Sequence, residues 1–305
     1  MPEIIAAGEL LIDLISTEYA DDFRSADRYQ RLPGGSPANL AMNLARLGRD
    51  VGLVATVGVD DTGGLLIDAV KEAGVDTSNI ARIAEPTTLI LVTKSRAVSD
   101  FEPYRMADRY ILPHQMELPA DVRIVHTTAF ALSREPARGN IISGMERARK
   151  NGARLSVDFN YADKIWSADR AAGLATLTEI ASAGGLIKVS EVDFERLFGE
   201  TVIDYHSSAQ KIMDLGAHLV CLTLGEEGCF VMHAEGEFYL PAREVEVKDT
   251  TGAGDAFWSG FLAAHLAGYN WEACARAGRG MAELKLGTVG PLTRKVDLEK
   301  LLREG

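Results

Sequence analysis

Residues 249–258 read Asp-Thr-Thr-Gly-Ala-Gly-Asp-Ala-Phe-Trp. A turn of small residues separates two carboxylates and runs into an apolar stripe at helical spacing: Ala256, Phe257, Gly260, Phe261, Ala264 and Leu266. A helix that opens on such a turn leaves its first N–H groups unpaired and aimed one way. That is a site for an anion, reinforced by the helix dipole. Glycine at 252 and 254 lets the backbone approach a phosphate that a side chain would block. Asp255 would repel that anion unless it is there to take a proton from an attacking hydroxyl. A phosphate cradle with a positioned base suits phosphoryl transfer to an alcohol. Plain helix capping uses the same residue types, so the flanking sequence has to decide.

Outward from this stretch, short apolar runs alternate with helical patterns. Strands are expected at 3–7, 51–57, 87–94, 123–127, 154–158, 185–189 and 218–223. Helices are expected at 37–47, 62–73, 135–150, 170–183, 191–198, 207–215, 254–267, 271–286 and 296–303. Alternation of this kind predicts an α/β fold with a mostly parallel sheet covered on both faces. Residues 229–240 read as a hairpin turning at Glu235-Gly236. Two regions break the rhythm. Residues 10–33 carry little helical pattern, and 87–106 hold two extended runs, Thr87–Lys94 and Asp100–Arg105, joined by Ser-Arg-Ala-Val-Ser. They fit either surface hairpins or a small second sheet forming a lid over a ligand cleft.

The 305 residues are 47% hydrophobic and 25% charged, an ordinary globular composition. A net charge of −12 with no basic block argues against nucleic acid or an anionic membrane surface as partner. A polyphosphate would have to be held locally, by backbone dipoles and a few cations. Cys221, Cys229 and Cys274 are odd in number and lack metal spacing, which fits reduced core residues and a cytoplasmic location. The Met-Pro-Glu start lacks the basic and long apolar regions of a signal peptide, and no run approaches transmembrane length. Walker A, protein-kinase and nucleophile-elbow motifs are missing.

Polar and glycine-rich signals recur where strands end. Gly34-Gly35-Ser36-Pro37-Ala38-Asn39 pairs glycines with a capping serine, a proline suited to a first helical position, and an amide able to bind a sugar hydroxyl. Asp13 follows the apolar run Leu10-Leu11-Ile12 at an expected strand end and could hold two sugar hydroxyls, or be a solvated loop acid. Asp158-Phe159-Asn160, Lys188-Val189-Ser190 and the segment Thr223 to Gly228, with Gly225, occupy equivalent places. One binding crevice assembled from distant sequence is the common reading. Arg105 ends a candidate lid strand, where it would reach a substrate oxygen or face solvent.

Together these segments resemble the ribokinase-like (PfkB) sugar kinases over essentially the whole chain. The resemblance rests on Gly-Gly-Ser-Pro-Ala-Asn-Leu-Ala (34–41) and Asp-Thr-Thr-Gly-Ala-Gly-Asp-Ala-Phe (249–257), in that order and spacing. Val57-Gly58-Val59-Asp60-Asp61-Thr62-Gly63 and Val220–Gly225 add to it. It implies a single domain over 1–305: a three-layer α/β/α sandwich with a mostly parallel central sheet and an inserted β-sheet lid from about 10–33 and 87–106. It also implies transfer of phosphate from ATP, with Mg2+, to a sugar hydroxymethyl group. Asp255 would be the base, and the backbone of Gly252, Ala253 and Gly254 the anion hole. Asp13, Gly34, Gly35, Asn39, Arg105 and Asn160 would bind substrate; Lys188, Ser190, Thr223, Gly225 and Gly228 would bind nucleotide.

Asp249 and Thr251 lie where many members bind a monovalent cation such as K+. The Gly-Gly-Ser-Pro-Ala-Asn form is similar to the fructokinase branch, so fructose is the expected sugar, with 2-keto-3-deoxygluconate or an aminoimidazole riboside as alternatives. A catalytically silent sugar or nucleotide sensor is a further reading. Exposed lid edges suggest a homodimer through the lid. The chain departs from the family at Phe159 and Ala162, where Pro and Arg are frequent, at Asp193 in place of Glu, and at Gly278 in place of an Asn near adenine.

Overall fold

The computed structural model describes residues 1–20, 22–94 and 100–304. The strands are β1 (Ile4–Ala7), β2 (Leu11–Tyr19), β3 (Tyr29–Gly34), β4 (Val51–Gly58), β5 (Ile80–Ile83), β6 (Leu89–Lys94), β7 (Phe101–Tyr104), β8 (Ile124–Thr128), β9 (Arg154–Asp158), β10 (Leu186–Ser190), β11 (Leu219–Thr223), β12 (Gly228–His233) and β13 (Gly236–Pro241). The helices are α1 (Ser36–Arg46), α2 (Asp61–Glu72), α3 (Ala137–Lys150), α4 (Asp163–Trp166), α5 (Arg170–Ser182), α6 (Glu191–Phe198), α7 (Tyr205–Met213), α8 (Ala253–Leu266), α9 (Trp271–Leu286) and α10 (Leu298–Glu304).

Nine strands form one sheet in the order β13-β12-β11-β10-β9-β8-β1-β4-β5. From β11 to β5 every pairing is parallel; β12 and β13 add an antiparallel edge. The near-continuous apolar strands follow from burial on both faces. Ile4 and Ala6 of β1 feed the core under α1, α8 and α9, while Ile5 and Ala7 feed the core under α3, α5 and α7. On β11, Leu219 and Cys221 take the first side and Val220 and Leu222 the second. Period-two alternation thus distributes one hydrophobic run between two cores, giving the three-layer sandwich.

The expected lid is present as a separate four-stranded sheet, order β3-β2-β6-β7. Leu11, Ile90, Val92 and Phe101 turn an apolar face toward the cleft below. The Ser-Arg-Ala-Val-Ser connection at 95–99 lies outside the described residues. Three details differ from the sequence reading. Asp13 does not end a strand: it is the third residue of lid strand β2, opposite Leu32 and Ile90. The β12–β13 turn falls at Ala234-Glu235, with Gly236 already paired to His233. Strand β5 was not expected; four half-exposed residues on a sheet edge leave little periodic signal.

Candidate active site

Where the lid meets the main layer, the chain passes from β3 through Gly34 and Gly35 into α1. Gly35 has φ +105°, and a Cβ there would sit 2.3 Å from the Glu9 carbonyl oxygen, so only glycine fits. Ser36 does not cap its helix, whose N-cap position, Gly35, has no side-chain cap bond. Instead its hydroxyl donates to Asp255 Oδ1 at 2.6 Å, and Asn39 Nδ2 donates to Asp255 Oδ2 at 2.9 Å. Residues more than 200 positions apart in sequence meet here because α1 packs on α8. Asp13 faces the same cleft.

Asp255 lies in the first turn of α8, behind a left-handed Gly252. The N–H groups of Gly252 and Gly254 have no partner among the described residues, as a helix start predicts. Ala253 differs: its N–H donates to Thr250 O at 3.2 Å. Beneath the turn, Lys188 Nζ holds Asp158 Oδ2 at 2.7 Å, a pair with side chains 5% and 4% exposed. A Cβ on Gly254 would lie 3.2 Å from that ammonium.

The carboxylates are crowded and desolvated. Burial, then the Asp158 charge, pushes Asp255 above its ordinary value, against the Ser36 and Asn39 hydrogen bonds and the Lys188 charge. Burial and Asp255 raise Asp13 to about 7. Burial raises Asp193 to about 6 despite its bond from the Ser190 hydroxyl, and Glu9 to about 8 despite the Thr128 hydroxyl. Lys188 also pays for burial, but the Asp158 carboxylate outweighs this and its value is raised. Glu9 lines the cleft yet had no sequence signal beyond its place just after β1.

A cleft of about 1190 Å3 joins these groups. Asp13, Gly35, Asn39 and Asn160 line it toward the lid, and Lys188, Ser190, Thr223, Gly225 and Gly228 toward the β10–β11 side. The strand-end signals therefore converge on one crevice. Asn160 Oδ1 accepts the Phe130 N–H at 3.1 Å, and Ser190 caps α6 through the Asp193 N–H. The absence of Asn at 278 has a packing cause: a Cβ there would already be 2.8 Å from the Phe257 carbonyl oxygen.

Three predicted residues are not on the cleft wall. Gly34 is buried against Asp13, whose Oδ2 lies 2.0 Å from where its Cβ would be. Asp249 lies below the turn, where its Oδ2 accepts from the buried Lys285 ammonium at 3.0 Å; Thr251 borders both spaces. Arg105 is drawn into an ion pair with Asp108, donates to Phe130 O at 2.9 Å and lies 4.0 Å over the Phe130 ring. Phe130 lines the cleft on one side. Arg105 itself borders a separate recess of about 450 Å3 with Glu102, Pro103, Arg109, Arg134 and Lys164. Burial, then the Arg105 and Arg109 charges, lowers the Arg134 value, against the Asp108 carboxylate. Buried Arg109 Nε has no partner among the described residues. Sequence reasoning missed this cluster because its members come from a lid strand, a turn, a loop and the short helix α4.

A base at a helix start, two unpaired N–H groups beside it and a large, mostly apolar cleft with polar groups at the strand ends are the parts of a kinase for alcohols. The model described as pfkB family carbohydrate kinase matches residues 1–296. The chain belongs to the pfkB family of carbohydrate kinases. It is similar to the ATP-dependent 6-phosphofructokinase of Thermoanaerobacterium thermosaccharolyticum, 34% identical over 302 residues that span 98% of this chain and 92% of that one. It is 30% identical over 265 residues to the probable fructokinase-2 of Arabidopsis thaliana, covering 85% of this chain and 80% of the relative. Among solved structures, the fructokinase of Halothermothrix orenii superposes with a TM-score of 0.79 at 32% identity, over 94% of this chain and 98% of that one. As a pfkB kinase, the chain has the ribokinase-like fold and is a phosphotransferase acting on a sugar hydroxyl.

Proposed function

We propose that this chain transfers the γ-phosphoryl group of ATP to a hydroxymethyl oxygen of a ketohexose, with fructose as the first substrate to test. The observation that carries this is Asp255, gripped by Ser36 and Asn39 on the sugar side while it opens α8 behind Gly252–Gly254. The sugar lies against Asp13, Gly35, Asn39 and Asn160. Its hydroxymethyl group gives a proton to Asp255 as the oxygen attacks the γ-phosphorus, and the bond to ADP breaks. The Gly252 and Gly254 N–H groups receive charge on the transferring oxygens, with Ala253 joining them if it leaves Thr250.

ATP extends along Lys188, Ser190, Thr223, Gly225 and Gly228. Asp158 Oδ1 is buried without a partner among the described residues, and Asp193 is near. Two such carboxylates suit Mg2+ held mainly by phosphate oxygens and water. When bound, Mg2+ neutralises charge on the phosphates. The three cysteines are free and buried, which suits a reducing cytoplasm.

A second reading changes the sugar. The recess beside Phe130 holds Arg109 and Arg134, next to Arg105 paired with Asp108 and Lys164 paired with Asp100 and Glu102, and these two arginines favour a substrate that already carries an anionic group, such as fructose 6-phosphate. Coupled ADP detection with fructose, fructose 6-phosphate, 2-keto-3-deoxygluconate and aminoimidazole riboside separates the candidates; no sugar-dependent turnover would leave a sensor. If the phosphosugar is used, Arg134→Ala should raise its KM about tenfold or more, the size of a lost charge-assisted contact, and leave fructose unaffected.

Lid edges β3 and β7 expose Gln30, Arg31, Glu102 and Tyr104, and we assign them to pairing in a homodimer. Light scattering at assay concentration should give twice the 33.0 kDa chain mass; a monomer refutes the assignment.

A further inference from the structure

The resemblance places a monovalent cation near Asp249 and Thr251. The residues present do not fit one, because a side chain already supplies the charge. Lys285, one residue before the end of α9, is 6% exposed and turns its ammonium beneath the Gly252 turn. Its Nζ donates to Asp249 Oδ2 at 3.0 Å and to Thr288 O at 3.2 Å. Asp249 Oδ2 also accepts the Gly290 N–H at 3.2 Å, and its Oδ1 accepts the Thr251 N–H at 2.9 Å. The strand of chain entering the turn is tied to the same helix end, since Lys248 N donates to Leu286 O at 2.8 Å. A Cβ on Gly252 would lie 3.8 Å from Lys285 Cε.

A carboxylate and a carbonyl converging on one point are what a potassium ion would use, and here both are taken by N–H donors. A second cation at that point would face a like charge at contact distance. A cavity of about 30 Å3 separates this cluster from Asp13 and Asn39, so the ammonium sits close behind the sugar wall.

We propose that Lys285 is a tethered substitute for the monovalent cation: its ammonium orders residues 249–252, and so the N–H groups of the turn, without potassium. It is a positioning residue, acting through Asp249. The proposal rests on the reading of Gly252–Gly254 as the anion hole, but its first test does not. The thermal midpoint Tm of the wild-type chain is compared in potassium chloride and in tetramethylammonium chloride at equal ionic strength. Equal Tm is expected; a potassium-specific rise overturns the proposal, whether or not the sugar is known.

With a substrate in hand, wild-type kcat should likewise be indifferent to potassium. Lys285→Met and Lys285→Gln should lose about 10²-fold in kcat, the scale of a displaced reacting geometry, with KM for the sugar little changed. Potassium or ammonium chloride should restore part of that loss and raise the variants' Tm. A Lys285→Met enzyme with full rate, or wild-type activation by potassium, overturns it. Should both variants fail to fold, the wild-type salt comparison still decides.

Discussion

Asp255→Asn is expected to lower kcat by ~10²–10⁴ while the fold and ATP affinity persist. Asparagine has the same shape: its carbonyl oxygen can still accept from the Ser36 hydroxyl that now lies 2.6 Å from Oδ1, and its amide nitrogen keeps a bond to Asn39 once the Asn39 amide turns its oxygen toward it. What it cannot do is take the proton of an attacking hydroxyl. Stability should not suffer, because burial and Asp158 already disfavour the charge that the substitution removes. The same crowding sets the pH dependence. The base works only when ionised, and its value lies above the ordinary 3.8, so the rate should fall on acidification earlier than a free carboxylate would predict. A pH–rate profile and a nucleotide titration of the variant check both points. Near-wild-type turnover in the asparagine variant would end the assignment of the base.

Lys188→Met should destabilise the protein by about 3–5 kcal/mol, because it leaves a buried carboxylate without its cation. Lys188 and Asp158 are 5% and 4% exposed, so solvent cannot replace the lost partner. The pair's contribution holds below the ordinary lysine value of 10.5 and is lost only as pH rises through the raised folded value, so the effect is fully present at neutral pH. A urea unfolding midpoint measures it. Adding Asp158→Asn should recover much of the stability, since the orphaned charge is then gone. Activity should not return, and the acid limb separates the two roles. Lys188 lowers both Asp255 and Asp193, so its loss should move the limb to higher pH. Unchanged stability together with an unmoved limb would show that Lys188 is neither a structural partner nor an electrostatic one.

The layered architecture was largely legible because it depends on local repetition. Seven of the strand segments were apolar enough to be read as runs, and nine helices carried a period near 3.6. Strand β5 escaped because it is short and half exposed, and Asp13 lies inside lid strand β2 rather than at a strand end because a short apolar run does not show how far its strand continues. The crevice was legible as a set of strand-end signals, but the partners within it were not. Nothing in the sequence states that Ser36 would bind Asp255 rather than cap α1, or that Arg105 would turn to Asp108 and Phe130. Those choices depend on which groups arrive from elsewhere in the chain.

The sequence by itself therefore determined the order of layers, the turn that opens α8 and the chemical types brought to it, since each follows from neighbours a few residues apart. Only the tertiary structure decided how the charges are shared. It put Lys188 on Asp158, set Asn39 on Asp255 and moved the Lys285 ammonium under Asp249. The physical reason is that a buried charge costs free energy until a partner meets it, and the partner's identity depends on packing between helices and strands far apart in the chain.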